Sequence, residues 1–307
     1  VALDIDDLEI GIIGAGRLGK ALALLGAQKG LKVTAVASRE EKNAVEIAGR
    51  IEGCRVTDGQ GVAEQCDLIF VTTPDNLIEQ VASSIQWRKG SYVVHCSGAT
   101  EISALDKAKV DGAQTGGFHP LQSFGDPEVS IHVMPGSTIT IEAERPLNEV
   151  LTSLASRLGC HVNQIPPGKR ALYHAAAGYT SQFIHVLFHE ACRFWESWGA
   201  DRESAVRALL PLAQGTLASI AAGGMVSLMP GPVSRGDTDS VSRHLDSIAG
   251  LDPGAIRLYT ELCSRTVDIS LENNRINHDQ AEHFRTMLEK FECVKSSAPV
   301  SGKHSPS

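Results

Sequence analysis

An apolar run leads straight into a glycine turn, Glu9-Ile-Gly-Ile-Ile-Gly-Ala-Gly-Arg-Leu-Gly19, and the helix-forming stretch Lys20-Ala-Leu-Ala-Leu-Leu follows at once. Gly14, Gly16 and Gly19 have the spacing G-x-G-x-x-G. In a strand-turn-helix setting the first glycine permits the tight turn, the second lets backbone approach a pyrophosphate, and the third lets helix pack on strand. The free N–H groups at the helix start then face the phosphates with the positive end of the helix dipole. The segment Gly14, Ala15, Gly16, Arg17, Leu18 and Gly19 is therefore read as a dinucleotide cradle, and a second strand, 31–37, follows at the expected distance.

The end of that second strand selects the dinucleotide. NAD sites place an acid there for the ribose 2′-hydroxyl, whereas a 2′-phosphate needs cationic and hydroxyl donors. The chain reads Val36-Ala37-Ser38-Arg39. Ser38 donates a hydrogen bond and Arg39 offers a charged fork, which favours NADP(H) over NAD. Arg39 also reads as a solvated charge opening a helix beside Glu40 and Glu41.

Strand-like and helical stretches alternate through the first half, with strands expected at 10–13, 33–37, 68–72, 92–95, 114–118, 137–141 and 160–165. This implies a mainly parallel sheet with helices on both faces, an α/β dinucleotide-binding domain over 1–166. After Pro166-Pro167-Gly168 the strand signal ends, and Ala- and Leu-rich stretches predict an all-α domain over 167–295. Its helices are expected at 169–198, 201–222 with a kink or break at Pro211, 237–247, 253–273 and 278–291. The Ser- and Pro-rich tail, 296–307, reads as disordered. At 307 residues, with 42% hydrophobic and 21% charged, the composition is that of a globular two-domain chain. A net charge of -8 argues against a nucleic-acid partner, and no segment approaches a membrane span or a secretory leader. Seven scattered cysteines without a C-x-x-C pair point to a reducing, cytoplasmic setting.

Ligands of open α/β sheets bind beyond the carboxyl ends of the strands. Three such ends carry candidates: Thr72-Thr73-Pro74, Ser97 in His95-Cys-Ser-Gly-Ala-Thr100, and His119 in Gly116-Gly-Phe-His-Pro120. Thr72, Thr73, Pro74 and Ser97 are read as cofactor contacts. His119 is placed for chemistry, or else caps the turn before Pro120.

Four segments together, Gly117-Phe-His-Pro-Leu-Gln-Ser-Phe124, Leu172-Tyr-His-Ala-Ala-Ala177, Leu209-Leu-Pro-Leu212 and Gly231-Pro-Val-Ser-Arg-Gly-Asp237, resemble the Rossmann-like oxidoreductases whose helical half is the domain of unknown function DUF2520. The resemblance spans about 9–291. It implies an N-terminal Rossmann domain followed by an all-α domain of the 6-phosphogluconate dehydrogenase C-terminal-like superfamily, with pyrroline-carboxylate and ketopantoate reductases as distant relatives. One position departs: members commonly carry Asn where this chain has Gln182. The related hydroxyacid dehydrogenases use a Lys and an Asn one turn apart on this helix, whereas here Lys169 is followed by Tyr173 and His174.

Such an enzyme transfers hydride to a C=O or C=N carbon and supplies a proton to the heteroatom. Candidate donors are His119, His174, Lys169 and Tyr173, with the two imidazoles first because they titrate near neutrality. Gln182 is a candidate substrate contact, and Arg235, in a shaped Gly/Pro loop, is the candidate clamp for a substrate carboxylate. Asp237 reads as a helix cap. His185 and His189 share a helix face but lack the general base and third ligand of a zinc site, so no metal is expected. The expectation is a cytoplasmic, homodimeric NADP(H)-dependent reductase of a small carbonyl or imine acid, a ketopantoate-like 2-oxo acid among the candidates. The alternative is a non-catalytic NADP(H) redox sensor acting through its helical half.

Overall fold

A computed structural model describes residues 5–293, and the tail expected to be disordered, 296–307, lies outside them. One compact unit runs to Phe183 and a second begins at Ile184. Helix α8, which the sequence assigns to the helical half, groups with the first.

The first unit is built on an eight-stranded sheet, β1 Ile10–Ile13, β2 Val33–Ala37, β3 Arg55–Val56, β4 Leu68–Val71, β5 Tyr92–His95, β6 Gln114–Leu121, β7 Thr138–Ala143 and β8 His161–Gln164. The strand order is β3-β2-β1-β4-β5-β6-β7-β8. All neighbours are parallel except β6 and β7, which run antiparallel. Seven strands lie where the sequence pattern puts them. The exposed two-residue β3 carries no apolar run and leaves no such signal. Helices α1 Arg17–Gln28, α2 Glu41–Ala48, α3 Gly59–Gln65, α4 Ile78–Ser83, α5 Asp106–Val110, α6 Pro127–Val133, α7 Leu147–Arg157 and α8 Arg170–Thr180 complete the unit.

Strands β1 and β4 are buried on both faces, as the continuous apolar runs of a covered parallel sheet require. One face packs Ile12, Phe70, Val94, Phe118 and Ile139 with α1 and α7, and the other packs Ile13, Ile69, Val71 and Val93 with α3 and α4. The sheet is different at β5 to β8. There one face stays apolar through Phe118, Ile139 and Ile141, while beyond Val93 the other face carries His95, His119, Thr140, Glu142 and Asn163.

The second unit contains most of α9 Gln182–Glu196, then α10 Arg202–Ala221, α11 Thr238–Leu251, α12 Pro253–Glu272 and α13 His278–Cys293. Its core is Val241, Leu245, Ile256, Val267, Phe284 and neighbours on α11 to α13. Two expectations are corrected. The single helix expected over 169–198 is broken at Ser181 (φ −126, ψ −87), because the Thr180 and Ser181 hydroxyls donate back to the Ala177 carbonyl and compete with the helical ladder. Helix α10 continues through Pro211 without a break, and that residue is exposed. Asp237 caps α11 through Ser240 N–H at 3.0 Å, as its sequence position predicts.

Candidate active site

The glycine turn folds as its spacing requires. Gly14 has φ +113 and a Cβ there would lie 2.8 Å from the Thr72 carbonyl carbon, while a Cβ on Gly19 would overlap the Gly14 carbonyl oxygen. Thr72 ties the turn to β4 by donating its hydroxyl to Gly14 O at 2.6 Å. Gly16 caps α1 without any side-chain bond to the free N–H groups, and nothing stands within 4 Å of where its Cβ would be. Beyond it opens a groove of about 690 Å³ lined by Gly14 to Gly16, Ser38, Arg39, Asn43 and Thr72 to Pro74.

The groove fits a dinucleotide. The Thr73 hydroxyl in its wall is buried without a hydrogen-bond partner. Ser38 and Arg39 stand together at the end of β2, where an NAD site would carry an acid. Asn43, from the next helix, also lines this end and leaves no signal in the sequence.

Four residues expected at the cofactor are not among those lining the groove. Arg17 is exposed on the first turn of α1, Leu18 packs against the core, and Gly19 is buried behind the turn. Ser97 is buried and spends its hydroxyl inside the loop, accepting from Ala99 N at 3.1 Å and Thr100 N at 2.9 Å. Its role is to shape that loop, because the oxygen is already engaged by two backbone donors.

Two cross-strand rows make up the polar face beyond the loop. Side chains alternate along a strand, so registered partners share a face. One row is His95, Gly117 and Glu142 on β5, β6 and β7; the next is His119, Thr140 and Asn163 on β6, β7 and β8. The start of α8 covers both. Above the first row Arg170, fully buried, donates Nε–H to Glu142 Oε2 at 2.6 Å and Nη1–H to Ser97 O at 2.8 Å. Its guanidinium occupies the space over Gly117 that any Cβ would fill. Above the second row the Tyr173 hydroxyl lies 2.7 Å from His119 Nδ1. The other edge of the His119 ring faces Gly98, whose Cβ position is 2.9 Å from His119 Nε2 and 2.7 Å from His174 Cδ2.

The structure thus brings His119 and His174 together at Gly98, the two imidazole centroids 6.3 Å apart, with Tyr173 against His119. Lys169 is exposed at the head of α8 and forms no bond with them. Gln182 is exposed at the start of α9, and Arg235 is exposed in the second unit. Among the described residues no three His, Cys, Asp or Glu side chains form a metal-binding group, and His185 and His189 are exposed.

Burial, then the charges of His174 and Arg170, lowers His119 from 6.5 to about 4; Asp75 opposes them. Burial, then Arg170, lowers His95 to about 3, and Ser97 N–H donates to His95 Nδ1 at 3.2 Å. Both imidazoles are neutral at pH 7. Burial raises the Tyr173 phenol, opposed by a hydrogen bond from Thr140 and by Arg170. The two histidines set a sign for stability. An unfolded histidine protonates near 6.5, whereas these two resist it until about 4 and about 3, so they favour the native state fully above about pH 6.5. That contribution drains as pH falls toward their folded values. Melting temperature is expected to drop from about pH 6.5 downward, with a shallower slope in His119→Asn.

Comparison with known proteins bears on what this site is. Residues 9–98 match the family described as NADP oxidoreductase coenzyme F420-dependent, and residues 137–266 match the domain of unknown function DUF2520. The chain belongs to the Rossmann-type NADP oxidoreductases that carry a DUF2520 domain. A Bacteroides fragilis protein assigned as an NADP oxidoreductase is 25% identical with a TM-score of 0.67, the match covering 86% of this chain and 99% of that one. Two solved structures share this oxidoreductase's fold. An Aspergillus terreus reductive aminase in complex with NADPH and ethyl-5-oxohexanoate is 14% identical, TM-score 0.59, with 94% of each chain covered. A Plasmodium falciparum pyrroline carboxylate reductase with NADP bound is 15% identical, TM-score 0.54, covering 95% of this chain and 100% of that one. No curated protein matched. No helix among the described residues is long and apolar enough to cross a membrane.

Proposed function

We propose that this oxidoreductase uses NADPH to reduce a small C=N or C=O compound, with His119 at the heteroatom and Tyr173 behind it. The observation that carries this reading is the neutral imidazole of His119, joined to Tyr173 through Nδ1 and turned with its other edge to Gly98. The likeness in fold to a reductive aminase and a pyrroline carboxylate reductase supports C=N substrates, and a 2-oxo acid of the ketopantoate kind is the other candidate.

The cofactor's pyrophosphate is assigned to the N–H groups at the head of α1, and its 2′-phosphate to Ser38 and Arg39. When bound, NADPH supplies the hydride. With Tyr173 donating to Nδ1, the His119 ring carries its proton on Nε2. As the substrate heteroatom gains charge, Nε2–H passes its proton to it and Nδ1 takes the Tyr173 proton. His119 ends neutral in its other tautomer, and Tyr173 is left as a phenolate facing the Arg170 charge. A neutral imidazole can act as the electrophile in this way without first being protonated.

NADPH consumption is to be followed with cyclic imines, ketone and amine pairs, 2-oxo acids and the deazaflavin F420. Turnover of an imine or carbonyl compound supports the reading. Tight NADPH binding with no turnover of any of them supports the sensor instead. Arg39→Gln is expected to weaken NADPH binding about tenfold while leaving NADH unchanged, as calorimetry would record.

A homodimer is also proposed. Among described residues α9 buries only Cys192 and α10 only Ala205, and the groove between them exposes Leu187 at 44%, Leu212 at 68% and Leu217 at 55%. An apolar face of that kind ordinarily pairs. Sedimentation is expected to give twice the chain mass, and Leu212→Glu to shift it toward one.

A further inference from the structure

We propose that His95 is a positioning residue for His119, acting through the Ser97-Gly98 turn; this rests on the reading of His119 given above. Gly98 stands at the Nε2 edge of the His119 ring, so close that a Cβ there would lie 2.9 Å from both Nε2 and Cε1. Tyr173 meets the ring at Nδ1, 2.7 Å away. The imidazole is thus set between a phenol and a backbone, and where that backbone stands decides where Nε2 points.

Every polar atom of Ser97 is engaged in holding the turn. Its Oγ accepts from Ala99 N at 3.1 Å and Thr100 N at 2.9 Å, and donates to Thr100 Oγ1 at 2.9 Å. Its carbonyl accepts Nη1–H of Arg170 at 2.8 Å, and its N–H donates to His95 Nδ1 at 3.2 Å. The last bond fixes a tautomer. A backbone N–H can only donate, so His95 Nδ1 is bare and the ring proton sits on Nε2. His95 and Arg170 are both fully buried, and among the described residues His95 Nε2 and Arg170 Nη2 have no hydrogen-bond partner. A leucine in place of His95 would leave no buried donor unpaired. What the imidazole supplies against that cost is the acceptor for Ser97 N–H. Two buried groups, each with a nitrogen left over, therefore converge on the N–H and the carbonyl of the residue that precedes Gly98. They keep Gly98 against His119, where a shift of about 1 Å at a reacting group can cost ~10²-fold in rate.

His95→Leu removes the acceptor, and Ser97→Ala removes the oxygen that ties Ala99 and Thr100. His95→Asn keeps an acceptor, its Oδ1, near the place of Nδ1. The first two are expected to lower kcat by roughly tenfold to a hundredfold with NADPH affinity within about twofold of wild type, and His95→Asn to recover most of the rate. ¹⁵N NMR of histidine-labelled protein without substrate gives a readout that needs no turnover, the two rings being identified by the loss of their signals in His95→Asn and His119→Asn. Wild type is expected to show His95 unprotonated on Nδ1 and protonated on Nε2. The His119 signals are expected to move in His95→Leu and Ser97→Ala and to return in His95→Asn. A His95 ring protonated on Nδ1, or a fall in melting temperature in His95→Leu and Ser97→Ala while the His119 signals stay in place, overturns the proposal. An inactive protein whose His119 signals still follow His95 would refute the reductase reading and leave this one standing.

Discussion

His119→Asn lowers kcat by ~10²–10⁴-fold while the affinity for NADPH stays within about twofold of wild type. The imidazole stands on the polar face of β6 and takes no part in the groove formed by Gly14, Ser38, Arg39 and Thr73, so cofactor binding does not depend on it. What is lost is the Nε2–H beside Gly98 and, with it, the route from Tyr173. Tyr173→Phe keeps the ring and removes only the proton behind it, so it reproduces part of the loss. Stopped-flow fluorescence of bound NADPH, read alongside steady-state rates, separates binding from turnover. A variant that loses cofactor affinity in proportion to rate would place His119 in the cofactor site instead.

The second large effect is on stability. Arg170 is fully buried and pairs with Glu142, which is 11% exposed, so Arg170→Met strands a carboxylate against the sheet and takes the donor from Ser97 O. Removing one member of a buried pair costs about 3–5 kcal/mol, a fall in melting temperature of roughly 10 °C. The companion change Glu142→Leu removes the stranded charge and is expected to recover much of the loss, because two apolar side chains can replace a buried ion pair at little cost. If Arg170→Met alone melts like wild type, the pair contributes nothing and Gly117 needs another reason to be bare.

The parts of this site that are local in sequence are legible from the residues alone. Gly14, Gly16 and Gly19 state the cradle by spacing, and Ser38-Arg39 states the cofactor by the absence of an acid at the strand end. His119 stands out because chemistry in such sheets gathers beyond strand ends. Ser97 is misread as a ligand for the same reason: its position is right, but its hydroxyl is consumed by Ala99 N and Thr100 N, bonds that composition does not reveal.

Partners set by strand register stay hidden in the sequence. Glu142, Thr140 and Asn163 join His95 and His119 only because β6 and β7 pair antiparallel with His119 against Thr140, over sequence separations no periodicity spans. Nothing local in the sequence marks Arg170, although the empty space at Gly117 is cut to its guanidinium. Tyr173 is among the candidate donors but ranks below the imidazoles, since a phenol alone titrates too high. Its standing comes from the 2.7 Å contact with His119.

The central claim is that hydride leaves NADPH for the carbon of a C=N or C=O bond in this chain. With the substrate consumed fastest and NADPH deuterated at the transferring face of nicotinamide C4, mass spectrometry of the product is predicted to show one deuterium, on the carbon of the reduced double bond. A product that carries no deuterium, or carries it on any other carbon, would contradict it.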